Sequence, residues 1–256
     1  MKNSQFPGRV AAAVALVFGV ACTTLRAPLP ASLENAPAWQ LKKHRGGEGG
    51  QQLRFGNFAI TDVRRGWRHS RSRGARLNLR LSSNEAGSVW VDYTEARSRQ
   101  KLSFAFRPAG SPAPWLVQSV DSTWQQDPDE HGTYQTLRAV YRSTLQEPTQ
   151  LPWLLQLRTD FSPQGRRVAG QLTRGADTVV HVQPLFEYAA VPGAWVQLRS
   201  ATPTGYVFLN SAGHVLGAVE VLGCGTVWLA PAAPPELHPP LAATAAALLL
   251  MPGYDW

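Results

Sequence analysis

The densest chemistry in the chain is cationic. Residues 63–80, VRRGWRHSRSRGARLNLR, hold seven arginines and one histidine in eighteen positions. A guanidinium presents a planar fork of donors that matches phosphate and carboxylate oxygens, so arginines at this density suit an anionic partner. Arg64, Arg65, Arg68, Arg71, Arg73 and Arg76 are the candidate anion-binding residues. The plainer account of the same cluster is the wet side of a sheet. In ARLNLRLS, Leu77, Leu79 and Leu81 alternate with Arg76, Asn78 and Arg80, the period of a half-buried strand whose arginines face water. Arg68, Arg71 and Arg73 fall in WRHSRSRG, which reads as a loop or hairpin tip.

Catalytic and metal chemistry finds little support. Asp127 to Gly132, DPDEHG, has the opening spacing of a calcium loop, but His131 replaces an oxygen ligand and Arg138 stands where the bidentate glutamate belongs. Ser98 and Lys101 have Ser-x-x-Lys spacing, which works on a helix, yet Lys101 opens a strand pattern and no partner motif follows. The six histidines, at 44, 69, 131, 181, 214 and 238, form no local pair, so no metal or cofactor is expected. Cys224, in VLGCGTVWL, reads as a buried, inert thiol rather than a nucleophile. A catalytic site assembled across loops, with Asp129 and His131 among its members, is the alternative.

The N-terminus has the anatomy of an export signal. Lys2 and Arg9 precede twelve uncharged residues, Val10 to Ala21, which end in small side chains. As a helix they span about 18 Å, short of the roughly 30 Å bilayer core. The stretch FGVACTT resembles the bacterial lipoprotein lipobox through Val20, Ala21 and Cys22. That resemblance implies lipidation of Cys22 as the mature N-terminus. Thr23, in place of a retaining aspartate, favours the outer membrane, with the protein facing the periplasm. Cleavage near VACTT by another peptidase, or an uncleaved leader, are the alternatives.

Charge is unevenly placed along the chain. Residues 42–107 hold fifteen Lys and Arg against five Asp and Glu, whereas residues 108–256 hold seven against eleven. The first half therefore suits an acidic partner or contact with the second half. Export argues against nucleic acid and leaves the phosphates of envelope lipids and lipopolysaccharide, or another envelope protein, as partners.

The elements that must position these groups are strands. From Leu53 onward the apolar period is two, in runs such as KLSFAFR, WLLQLRTDF and DTVVHVQ, separated by turn formers such as RPAGSPAP, TRGAD and NSAG. This predicts an all-β fold, a mainly antiparallel sandwich or barrel-like sheet. PPELHPPLAATAAALLLMPG carries start and stop signals for one short C-terminal helix, about 239–251, apolar on all sides and hence buried against a sheet. The expected organisation is a signal peptide over 1–21, a flexible tether over 22–52 following lipidated Cys22, and one mainly β domain over 53–256. Trp67, Trp115 and Trp124 lie near turns as candidate contacts, with core packing as their other role. The function expected is non-catalytic binding or assembly at the bacterial envelope. An envelope hydrolase and a polyanion binder using Arg64 to Arg80 are the alternatives.

Overall fold

The computed structural model describes residues 26–45, 51–80, 88–128, 136–162, 165–189 and 198–251. Fourteen strands are arranged in one antiparallel sheet: β1 (Ala38–Gln40), β2 (Lys42–Arg45), β3 (Gln51–Phe55), β4 (Phe58–Arg65), β5 (His69–Arg80), β6 (Ser88–Pro108), β7 (Trp115–Pro128), β8 (Thr136–Gln146), β9 (Trp153–Ser162), β10 (Gly165–Arg174), β11 (Asp177–Leu185), β12 (Gly205–Leu209), β13 (Val215–Glu220) and β14 (Thr226–Leu229). The single α-helix among the described residues, α1, is His238–Leu249.

The sheet is nearly closed, and it closes through one segment. β1 pairs with β14, matching Ala38 to Trp228 and Gln40 to Thr226, and β2 pairs with β3, matching Lys42 to Arg54. Only Leu41 separates β1 from β2, and its amide donates to the Gly225 carbonyl at 3.0 Å. The two ends of the strand order are thus two halves of a single stretch, 38–45. The fold is therefore barrel-like rather than a sandwich, and closure leaves few unpaired strand edges. Because neighbouring strands run up and down, the connections after β3, β6, β8, β10 and β12 lie at one end of the barrel. Those after β7, β9, β11 and β13 lie at the other, called here the second end, whereas β4 and β5 run the same way along β6 and join opposite its middle. β6 is long enough to serve two partners: β4 pairs with its last residues and β5 with its first.

Period-two alternation builds the interior. Leu102, Phe104 and Phe106 of β6, Val117 of β7, Leu145 of β8, and Leu155 and Leu157 of β9 all point inward and are buried. Their strand neighbours Lys101, Arg107, Leu116, Leu154 and Arg158 are exposed. Inside lies α1, whose residues from Pro240 to Leu249 are all buried. Its contacts with β7, β8, β13 and β14 explain why no face of it is polar. Two prolines in its first turn fix φ without forfeiting a needed amide. Alanines supply a narrow cylinder where the barrel leaves little room, while Leu241, Leu248 and Leu249 each contribute roughly 1.5–3 kcal/mol by burial. Gly170 serves the same fit, since a Cβ there would stand 2.4 Å from the Val182 carbonyl.

Three expectations change. Residues 31–45, read as part of a tether, are built into the body. Leu33, Ala36 and Leu41 are buried, and 38–45 closes the sheet. Three well-placed apolar side chains suffice, and so few are lost among the surrounding prolines and alanines. His69–Gly74, read as a loop or hairpin tip, is the start of β5. Its arginines and serines disguise a strand that buries little. Cys224, read as buried, is exposed, because Gly223 (φ 57°) and Gly225 (φ 73°) turn the chain sharply after β13.

Candidate anion-binding face

The cationic site begins with a bulge in β4. Thr61 pairs with Ala105 but Arg64 with Ser103, so β4 holds one extra residue there, and Asp62 adopts φ 54°. Phe58 and Ile60 point inward, and by simple alternation Arg64 would follow them into the core. The inserted residue reverses the phase and sets Arg64 opposite outward-facing Ser103. The chain then leaves β4 through Gly66, whose amide donates to the Lys101 carbonyl at 2.9 Å and whose carbonyl accepts from the Gln100 side-chain amide at 3.1 Å. Those two bonds hold the crossover against β6 and bring Arg64 and Arg65 beside Arg99 and Lys101.

These four cations line an open cavity of about 510 Å³, together with Ser103 and Gln118. All four are exposed. None of them has a carboxylate within ion-pair distance among the described residues; ion pairs lie elsewhere, as between Arg97 and Glu95, Arg138 or Arg158 and Asp160, and Arg199 and Glu187. Four positive charges with no carboxylate partner among the described residues, gathered around one concavity, make a positive local potential, which concentrates anions. The serine hydroxyl and glutamine amide beside them add neutral donors of the kind that orient a phosphate oxygen.

β5 extends this face. Its register sets His69 opposite Arg99, Arg71 opposite Arg97 and Arg73 opposite Glu95. By the alternation of β6, these pairs share the outer side with Lys101. Arg71 and Arg97 are like charges directly across a strand pair, an arrangement that repels unless an anion lies between them. Glu95 is the local counterion: it accepts from the Trp124 indole at 2.8 Å and from Arg97 at 2.5 Å. The indole bond first, and then Arg97, hold the Glu95 carboxyl below its ordinary pKa, so it is ionised. Glu95 thus offsets Arg97 and Arg73 and leaves Arg71 and the four cavity cations in excess.

The arginines named from sequence therefore part company. Arg64, Arg71 and Arg73 share the outer face, while Arg65, opposite inward-facing Leu102 at the end of β4, is exposed and lines the same cavity as Arg64. Arg68 turns instead toward the barrel mouth, where with Asp121, Tyr141, Arg166 and Tyr206 it lines a smaller cavity of about 260 Å³. Burial raises the Asp121 pKa, and nearby Arg68 offsets part of that rise. Arg76 lies on β5 opposite Asp92, and its side chain is outside the described residues. Arg99 and Lys101 are the members that sequence reading missed. Their phase with Ser103 in RSRQKLSFAFR marks them as outward-facing, but only the β4–β6 register brings them to Arg64.

Trp67 is 89% exposed in the crossover, Trp115 is buried, and Trp124 is half-buried on Glu95. Ser98 and Lys101 sit on β6 three residues apart and so face opposite sides, which rules out their acting as a pair. Asp129, Glu130 and His131 lie outside the described residues, as does Cys22. Among the described residues, no group of three or more His, Cys, Asp or Glu is placed to hold a metal ion. No helix among them is long and apolar enough to cross a membrane.

No protein-family model, curated protein or solved structure matches the chain.

Proposed function

We propose that the protein is a lipid-anchored component of the bacterial envelope, held at the outer membrane by acylated Cys22 and facing the periplasm. It works there as a non-catalytic module that binds phosphate-bearing head groups. The observation that carries this reading is the cavity walled by Arg64, Arg65, Arg99 and Lys101, with no carboxylate partner among the described residues. Lipid and lipopolysaccharide head groups supply anionic phosphate at the bilayer surface, and an arginine fork matches it. A lipid anchor raises the local concentration of such groups, so each contact need only be weak.

Two measurements test this reading. The intact mass of the native product should show fatty chains added at Cys22. Lipopolysaccharide immobilised on a column should retain the protein at low salt, release it as salt rises, and fail to retain the Arg64→Ser/Arg65→Ser/Arg99→Ser variant. Retention that ignores both salt and these substitutions would overturn the binding assignment.

A further inference from the structure

The first described residues are docked, not free. The Ala27 amide donates to Glu220 Oε1 at 2.7 Å, and the Arg26 carbonyl accepts from the Ala189 amide at 2.7 Å. Gly205 makes room for this contact: a Cβ there would come within 3.3 Å of the Ala27 Cβ and 2.6 Å of the Val219 carbonyl. Glu220 ends β13, and Ala189 lies in the connection after β11, so the chain enters the fold at the second end of the barrel. Only Thr23, Thr24 and Leu25 separate Arg26 from Cys22. Four Cα steps reach at most about 14 Å.

Arg26 also heads a groove of about 370 Å³ on the outer side of the closure segment. Lys42, His44 and Arg54 line it with Arg26, and the indoles of Trp39 and Trp228 flank it. Lys42 and Arg54 are paired across β2 and β3, which holds their charges side by side on the outer face. The lining contains no aspartate or glutamate.

We propose that this groove seats the phosphate of an anionic phospholipid from the same bilayer that holds Cys22. The proposal rests on the anchoring of Cys22, which delivers head groups to within one short stretch of chain. Arg26, Lys42 and Arg54 take the phosphodiester, and the two indoles take the glycerol region, the amphipathic position such rings favour at a membrane surface. The groove and the arginine cavity are separate sites. They have no lining residue in common, and the groove fixes how the barrel stands on its own membrane.

Native mass spectrometry of the full chain, purified in neutral detergent, tests this directly. The same spectrum reads covalent acylation and retained lipid, so failure of the anchor and failure of the groove give different signatures. The expected result is retention of phosphatidylglycerol in preference to phosphatidylcholine, with one fewer phosphatidylglycerol held by Lys42→Ser/Arg54→Ser. Arg142→Ser, an exposed change on β8, should retain the wild-type number. Inorganic phosphate at equal concentration should not displace the lipid. The proposal is overturned if the double variant keeps the full complement, if phosphatidylcholine is held equally, or if inorganic phosphate competes it away. Missing acyl chains alongside selective phosphatidylglycerol retention would remove the anchor and leave the groove standing.

Discussion

The Tyr141 hydroxyl donates to the Ala247 carbonyl oxygen across 2.8 Å, joining the barrel wall to the last turn of the helix inside it. The amide of Met251, which would satisfy that carbonyl in a continued helix, bonds Leu248 instead. Tyr141 therefore supplies the cap that the chain does not. Burial raises the phenol pKa, so it remains a donor throughout the working range of pH. Tyr141→Phe leaves the carbonyl unpaired in an apolar interior and should lower stability by about 1–3 kcal/mol. Urea unfolding followed by circular dichroism measures it, and a change below about 0.5 kcal/mol would deny Tyr141 this role.

Thr244 lies in the middle of α1, fully buried, with no hydrogen-bond partner for its hydroxyl among the described residues. Thr244→Val keeps the shape and removes the unsatisfied group. It should raise the unfolding free energy by about 1 kcal/mol, since a buried hydroxyl without a partner is unfavourable by that order. A scanning calorimeter would show this as a higher melting temperature, and a lower one would mean that the hydroxyl is satisfied.

Gly170 stands where β10 crosses between Leu157 and Val182. An added Cβ would lie 2.5 Å from Leu157 Cδ2 and 2.4 Å from the Val182 carbonyl, and that carbonyl is backbone and cannot swing away. Gly170→Ala should destabilise by about 1–3 kcal/mol through overpacking, whereas alanine at the open Gly110 position would test only its positive φ. Equal melting of wild type and Gly170→Ala would show that the sheet yields at this point.

Glu220 couples the docked entry of the chain to pH. Burial raises its pKa above the ordinary 4.5, while the Ala27 amide and Arg26 pull the other way and only partly offset it. A carboxyl whose pKa is raised by folding binds its proton more tightly in the folded state. Its contribution is therefore fully present below 4.5 and is lost as pH rises through the folded value. Glu220→Gln keeps an acceptor for the Ala27 amide and removes the ionisation. Its stability should vary less with pH than that of the wild type from pH 4 upward, and should exceed it at neutral pH. Melting curves taken across that range decide the matter, with a steeper dependence in the variant as the contrary outcome.

How much of this was legible in the sequence depended on how local each signal was. KLSFAFR and WLLQLRTDF show which residues face inward because strand alternation is written in consecutive positions. Pro239 and Pro240 mark the start of α1 for the same reason. Closure of the sheet was hidden, since it rests on the pairing of 38–45 with strands more than 180 residues away on one side and about ten on the other. Half of the arginine cavity was hidden likewise. Arg64 and Arg65 stood out by density, but a one-residue bulge at Asp62 decides which way Arg64 faces, and Arg99 and Lys101 join it only through register. Trp67 looked like either contact or core, and only its exposure separates the two.

The most direct test of the account is the affinity of Cys22→Ser protein for phosphatidylcholine vesicles with and without phosphatidylglycerol, measured by co-sedimentation as salt is raised. Positive charge without acyl anchoring should bind only the anionic vesicles and weaken by about tenfold between low and physiological salt, as the Debye length shortens. Arg64→Ser/Arg99→Ser/Lys101→Ser should lower the low-salt affinity by a further factor of about ten at unchanged melting temperature. Binding that is indifferent to lipid charge, or that survives the triple substitution intact, would contradict the assignment of this face to phosphate.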